Sequence, residues 1–214
     1  MAKIDLHKIK NILFDLGGVI LNINMNASIK AFQSLGFNQS IINTNQTFSH
    51  KFFSEFQNGE LSVTKFYDTL RNTLGNPAIT DEQIAEAWNK MIIDIPAERV
   101  QVLKELNEKY NIYLFSNTNA IHIEKLETEF HSKYGFNFHS LFKKVYYSHK
   151  IFDSKPKVSS YLKVVKDAGI IAEESLFIDD LEKNIIGAQM AGLKGFWLQP
   201  GMEITQLFNS QSTT

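Results

Sequence analysis

Residues 12–20 read ILFDLGGVI, a short apolar run that ends on an aspartate and is followed at once by two glycines. Ile12-Leu13-Phe14 is too short for a helix and shows no polar alternation, which predicts a strand buried on both faces. Three further runs behave alike. Ile112 to Phe115 ends on Ser116-Asn117, Val145 to Tyr147 runs toward Lys155, and Leu176-Phe177-Ile178 ends on Asp179-Asp180. In an open parallel sheet ligands collect beyond the carboxyl ends of the strands, so these polar residues are expected to meet in one place.

After residue 96 strand candidates alternate with helical patterns, the signature of a parallel sheet covered by helices. Val100, Leu103, Leu106 and Tyr110 mark one helical face after Pro96. Val158, Tyr161, Leu162 and Val165 mark another, up to Gly169 as a C-terminal stop, and Ile185, Ala188 and Gln189 to Gly192 a third. Phe196-Trp197-Leu198 is the last expected strand. One helical turn is expected around Ile204 to Phe208, and the polar end Asn209 to Thr214 is expected to fray.

Between residues 25 and 93 no strand is expected. Phe32 and Leu35, then Phe48, Phe52, Phe53 and Phe56, then Phe66 and Leu70, then Ile84, Ala87, Trp88 and Met91 recur at helical spacing. Gly36, Asn58-Gly59 and Gly75-Asn76-Pro77 punctuate them, and Thr80 is placed to cap a helix beginning Asp81-Glu82. Three or four packed helices are therefore expected, inserted into an α/β chain. Their aromatic residues are assigned to packing, the usual fate of buried apolar side chains.

With 214 residues, 43% hydrophobic and 21% charged, the chain has room for one sizeable core and an appendage. Its net charge of -1 offers no basic footprint for nucleic acid. No run approaches the roughly 18 apolar residues of a membrane span. The absence of cysteine excludes disulfides and thiolate metal ligands. Met1 to Lys10 lacks the apolar centre of a signal peptide, so a cytoplasmic address and small-molecule partners are expected, with no oligomer implied.

A carboxylate at a strand end, with an unperturbed pKa of about 3.9, is ionised at neutral pH and can attack phosphorus without an activating base. A phosphate monoester is anionic as well. Two like charges at ~4 Å cost on the order of 4 kcal/mol at an effective dielectric near 20, and Asp15, Asp179 and Asp180 together multiply that penalty. Three carboxylates, Lys155 and one divalent cation sum to zero. Oxygen-only ligands favour Mg2+, which binds through one or two carboxylates together with substrate phosphate. Gly17 and Gly18 permit a sharp turn that faces main-chain groups toward metal or phosphate. Ser116 and Asn117 offer neutral donors, and Lys155 offers charge to the phosphoryl oxygens.

In this order, the motifs ILFDLGGVI, YLFSNTN, SKP and FIDDLEKN resemble those of the haloacid dehalogenase superfamily of hydrolases over nearly the whole chain. DLGGV, the SNTNxxH block from Ser116 to His122, the Asp179-Asp180 pair and NGELS are most similar to the bacterial alpha-glucose-1-phosphatase subgroup. The resemblance implies an α/β fold: a Rossmann-like parallel sheet core with helices on both faces, residues 1–24 and 94–214, and a helical-bundle cap, residues 25–93, inserted after the first strand. It implies that Asp15 is a nucleophile forming an aspartyl-phosphate, and that Mg2+ is held by Asp15, the Gly17 carbonyl and Asp179, with Asp180 acting through water. Ser116 and Asn117 match the motif that binds the phosphoryl group, and Lys155 matches the third-motif lysine.

One departure matters. Many family phosphatases carry a second aspartate two residues after the nucleophile, as general acid and base, and Gly17 stands there in this chain. Such help is worth about 10²- to 10⁴-fold, so slow turnover or a preference for readily departing alkoxides, such as anomeric phosphates, is expected. The expected function is that of a Mg2+-dependent phosphomonoesterase acting on small phosphorylated metabolites, sugar phosphates such as glucose 1-phosphate among them. The alternatives are a non-catalytic phosphometabolite-binding regulator and a metal-independent 2-haloacid dehalogenase. Five residues stay open: His122 reads as a structural bond or a distal substrate contact on a turn, Asn184 as a surface residue or a partner of the aspartates, and His50, Lys51 and Glu55 as cap contacts to the leaving group.

Overall fold

The structure is a computed structural model that describes residues 6–37, 48 and 50–208. Its strands are β1 (Asn11–Phe14), β2 (Asn22–Ile23), β3 (Ile92–Asp94), β4 (Asn111–Ser116), β5 (Lys144–Tyr147), β6 (Ser175–Asp179) and β7 (Lys194–Trp197). Its helices are α1 (Met25–Ser34), α2 (Lys51–Gln57), α3 (Val63–Leu74), α4 (Asp81–Asn89), α5 (Ala97–Asn107), α6 (Ala120–Tyr134), α7 (Ser148–Ile151), α8 (Val158–Ala168), α9 (Glu182–Met190) and α10 (Ile204–Phe208). No helix among the described residues is long and apolar enough to cross a membrane. The expected fraying of Asn209 to Thr214 lies outside the described residues.

Five strands form one parallel sheet in the order β5-β4-β1-β6-β7. The chain leaves β1 toward β4 and β5 on one side and later fills β6 and β7 on the other, so the order reverses at β1, where a crevice opens beyond the strand ends. Asp15 follows β1 at that reversal. Strand side chains alternate between faces. Ile12, Phe14, Ile112, Leu114, Leu176 and Ile178 pack on α5, α6 and α10. Leu13, Tyr113, Phe115 and Phe177 pack on α8 and α9. Burial on both faces is why these strands read as unbroken apolar runs.

The α1–α4 helices enclose a separate aromatic core of Phe32, Phe52, Phe53, Phe56, Phe66 and Trp88. Phe56 and Phe66 stack at 4.1 Å, and Phe53 stacks on Trp88 at 5.1 Å. The phenylalanines thus serve packing, each full burial worth roughly 1.5–3 kcal/mol. Thr80 caps α4 as expected. Its hydroxyl accepts from Gln83 N–H at 3.2 Å, while Gln83 Oε1 accepts from Thr80 N–H at 2.9 Å, a reciprocal capping box.

Four expectations are corrected. β2 and β3 pair antiparallel where the two chain crossings between helical insertion and sheet run side by side, so the stretch up to residue 93 does contain strand. The last strand is Lys194–Trp197; Leu198 lies beyond it, although its N–H still donates to Asp179 O at 2.9 Å. Leu162 is exposed, because Ser160, Tyr161 and Val164 form the buried face of α8. His122 sits not on a turn but in the first turn of α6, whose N-cap Asn119 accepts its N–H at 3.1 Å.

Candidate active site

The switch at β1 gathers the acids. One carboxylate oxygen from each of Asp15, Asp179 and Asp180 lies within 4.8 Å of the others. Asp15 N–H donates to Ile178 O at 2.9 Å, continuing the β1–β6 ladder and holding the nucleophile candidate against the strand that delivers the acidic pair. Lys155 lies between two of them, its Nζ 2.7 Å from Asp15 Oδ1 and 2.7 Å from Asp179 Oδ2. Lys155 and Asp179 are buried almost completely. No other hydrogen bond reaches Asp15's side chain among the described residues, which leaves Oδ2 without a hydrogen-bond partner there.

Asp179 is held from every side. Its Oδ1 accepts from Leu181 N–H at 2.8 Å, and Asn184 Nδ2 reaches both of its oxygens, at 2.9 and 3.0 Å. The α9 helix starts after Leu181 without a side-chain cap, so the acidic pair does not serve as its N-cap. Asn184, an open choice in the sequence, is a partner of the aspartates; its buried Oδ1 has no hydrogen-bond partner. The five-residue spacing to Asp179, one turn into the following helix, was the available signal. Trp197 Nε1 donates to Asp180 O at 3.0 Å, a contact that no sequence pattern indicated.

Gly18 is fixed by geometry. Its φ is +77°, and a Cβ there would lie 2.4 Å from Asp180 Oδ2, so only glycine lets the acid approach the turn. Gly17 lies in the same turn, bridged to Leu21.

Ser116 ends β4 beside β1 and is buried. Its hydroxyl makes no hydrogen bond among the described residues and is available to an incoming acceptor. Asn117 differs from expectation. Its Nδ2 donates to Lys155 O at 2.9 Å, and its Oδ1 accepts Lys155 N–H at 3.0 Å, so both ends of the amide grip the Lys155 main chain. The side chain positions the lysine, with one of its two Nδ2 hydrogens committed to that main chain.

Electrostatics correct a second expectation. Burial raises the Asp15 carboxyl above the usual range; Lys155 opposes this, while Asp179 and Asp180 reinforce it. Asp180 is pushed up to about 6, by burial first and then by Asp179. Burial alone would lower Lys155, but Asp15 and Asp179 together hold its ammonium above the ordinary value. Asp15 is therefore not the freely ionised carboxylate that an exposed strand end would carry. Three acids face one ammonium, and burial, reinforced by the neighbouring carboxylates, raises the pKa of Asp15 and of Asp180. Clustered hard oxygen donors short of positive charge fit a divalent cation such as Mg2+, with no nitrogen or sulfur ligand among them.

Contacts between the helical insertion and the sheet converge nearby. Ser148 Oγ accepts from Thr118 N–H at 2.9 Å and lies within donating distance of Gln57 O at 2.6 Å and Thr118 O at 3.0 Å. His122 stacks on Trp88 at 4.9 Å, and its Nδ1 is 2.9 Å from Asn89 Oδ1. Burial pushes this imidazole down to about 3, so the neutral ring donates from Nδ1 to the amide oxygen. That is the structural bond of the two readings. His50 stacks on Phe52, and Lys51 pairs with Glu55 at 2.6 Å.

A family model described as haloacid dehalogenase-like hydrolase matches residues 12–198. A D-ribitol-5-phosphate phosphatase of Bacteroides thetaiotaomicron is 29% identical over 206 residues, covering 94% of this chain and all of the relative. A HAD-family enzyme of the same organism, crystallised as an aspartate-to-alanine variant with magnesium and inorganic phosphate, superposes with a TM-score of 0.86. It is 33% identical, covering 94% of this chain and 98% of that one. A predicted HAD-like hydrolase structure from Porphyromonas gingivalis gives a TM-score of 0.82 at 28% identity, covering 91% and 93%.

Proposed function

The chain belongs to the haloacid dehalogenase-like hydrolases, and from that premise we propose that it is a Mg2+-dependent phosphomonoesterase acting on small phosphorylated metabolites of the cytoplasm. The observation that carries the reading is Lys155 pinned at 2.7 Å between Asp15 and Asp179 at the sheet's switch point, with Asp180 completing the acidic cluster. The phosphatase name of one relative, and the magnesium and inorganic phosphate bound by a similar enzyme, support it.

Asp15, Asp179 and the Gly17 carbonyl would hold the cation, with Asp180 acting through water. When bound, Mg2+ supplies the positive charge that lets Asp15 ionise and an anionic ester approach. Asp15 Oδ2 attacks phosphorus in line, the bond to the ester oxygen breaks, and the alcohol leaves with its bonding electrons and takes a proton from solvent. Water then cleaves the aspartyl-phosphate, releasing inorganic phosphate and restoring the carboxylate. Ser116 Oγ–H donates to a phosphoryl oxygen. Lys155 offsets charge on the nucleophile and Asp179, and Asn117 fixes its position. Residues 25–93 act as a cap domain over the core of residues 1–24 and 94–214, closing over the leaving group. Dehalogenation at carbon would leave Asp179 and Asp180 without a purpose, which disfavours that alternative.

The substrate class is sugar and sugar-alcohol phosphates. Phosphate release from a panel including D-ribitol 5-phosphate and glucose 1-phosphate, with Mg2+ and with chelator, tests the proposal. Mg2+-dependent release is expected, and Asp15→Asn should abolish it. A folded protein that releases phosphate from no ester would refute the reading.

A further inference from the structure

Gly17 is not required by the backbone. Gly18 has a left-handed φ and Gly17 does not, so residue 17 could carry a side chain without strain. Such a side chain would press on Ile23: a Cβ there would sit 3.3 Å from Ile23 Cδ1 and 3.7 Å from Ile23 Cγ2. The turn after Asp15 brings this about. Leu16 O accepts the N–H groups of Ile20 and Leu21 at 2.9 and 2.8 Å, and Gly18 N–H donates to Leu21 O at 2.9 Å, so the chain doubles back and β2 passes Gly17. β2 is then tied down on its far side, through Asn22 Nδ2 to Asp94 Oδ1 at 3.0 Å and Asn24 N–H to Met91 O at 2.8 Å. Ile23 remains 41% exposed, a large aliphatic side chain with unburied surface two residues along from Leu21, which bridges to Gly17.

We propose that Ile23 is a specificity-determining residue: held over Gly17, in the space a side chain at position 17 would fill, it presents an apolar wall to the carbon skeleton of the leaving group. The inference rests on the phosphomonoesterase reading. Ile23 has no proton to give, so it selects by shape and shields the carbon beside the scissile oxygen. An acid introduced at position 17 meets Ile23 before it reaches that oxygen.

Each buried methylene is worth about 0.8 kcal/mol, or roughly 4-fold, so a leaving group that covers about two carbons of the Ile23 side chain should lose on the order of 10-fold when they are removed. The test uses the full-length, Mg2+-loaded protein and compares Ile23→Ala and Ile23→Val for KM and kcat on straight-chain alkyl and sugar-alcohol phosphates, with inorganic phosphate as competitive inhibitor. Ile23→Ala is expected to raise KM on the order of 10-fold, with Ile23→Val between it and the parent. The inhibition constant of inorganic phosphate, which has no carbon skeleton, should stay within twofold. Gly17→Asp should flatten the dependence on leaving-group acidity only when combined with Ile23→Ala. An unchanged KM, a parallel rise in KM and in the phosphate constant, or an equal effect of Gly17→Asp alone would overturn the inference. A parent protein that hydrolyses no ester would overturn the phosphomonoesterase reading itself, and this inference with it.

Discussion

Replacing Lys155 by methionine isolates the electrostatic problem of the site. The ammonium lies 2.7 Å from both Asp15 and Asp179, and its side chain is 1% exposed. Removing one partner of a buried ion pair typically costs ~3–5 kcal/mol, because the remaining charge stays buried without compensation. Methionine nearly matches lysine in volume, so packing against Phe115 and Phe177, whose ring centroids lie 5.4 and 5.1 Å from Nζ, changes little by comparison. For a chain of this size each kcal/mol shifts Tm by roughly 2–4 °C, which predicts a fall of about 6–20 °C at pH 8 in chelator.

The pH dependence has a definite sign. Burial already raises the Asp15 carboxyl, and Lys155 is what opposes it. Without the lysine the folded value rises further above the unfolded one, so between the two the folded protein binds a proton that the unfolded chain has released. Stability then falls as pH climbs from about 4 through the folded value, and the variant's deficit should be smaller at pH 5 than at pH 8. Added Mg2+ restores positive charge and should recover much of the loss. Thermal unfolding at both pH values, with chelator and with Mg2+, checks each step. A deficit that is the same at pH 5 and pH 8, or a shift below about 2 °C, would refute the charge-compensation argument.

Asn184→Ala removes the amide that reaches both Asp179 oxygens, and Mg2+ affinity measured by calorimetry should drop about 10- to 100-fold; unchanged affinity would contradict the orienting role. Gly59 has φ +75°, and a Cβ there would lie 2.2 Å from His149 O, so Gly59→Ala should strain the backbone by about 1–3 kcal/mol and displace the cap, lowering the urea midpoint and raising KM together. Arg99 donates to Glu203 at 3.0 and 2.8 Å and to Ile20 O at 3.1 Å, tying the turn after Asp15 to the segment before α10. Because Glu203 is half exposed, Arg99→Met should lower the unfolding free energy by only about 2 kcal/mol, read from urea denaturation.

The sheet was legible because β1, β4 and β6 are buried on both faces, leaving apolar runs with polar exits that any parallel arrangement brings together. α6 was harder to see for a physical reason. Ile121 packs into the aromatic core of α1–α4, whereas Ile123, Leu126 and Phe130 pack into the sheet core, so the helix is apolar on two sides and its single-stripe periodicity is blurred. β2 and β3 are two and three residues long, too short for any alternation to register. Asn117 has the right chemistry for a phosphate donor, but an amide serves a neighbouring main chain equally well, and only the path of the Lys155 loop decides between them. The charge state of Asp15 likewise depends on burial, which residue type alone does not specify.

The segment from Ser148 to Lys155 ties these parts into one device. Ser148 begins it in contact with Gln57 O of α2 and with the main chain of Thr118, and Lys155 ends it between Asp15 and Asp179. Asn117, one residue before Thr118, grips Lys155 through both ends of its amide. Displacement of the cap therefore pulls on the same two main-chain stretches that place the lysine and the end of β4. Buried charge-assisted bonds weaken steeply as their geometry departs from ideal, so a lysine shifted by a fraction of an ångström would leave the acids less compensated. The seating of helices α1–α4 and the ionisation of Asp15 should therefore shift together through this segment. Perturbing Gly59, far from the acids in sequence and in contact with His149, should therefore change the chemistry of Asp15 as well as access to it.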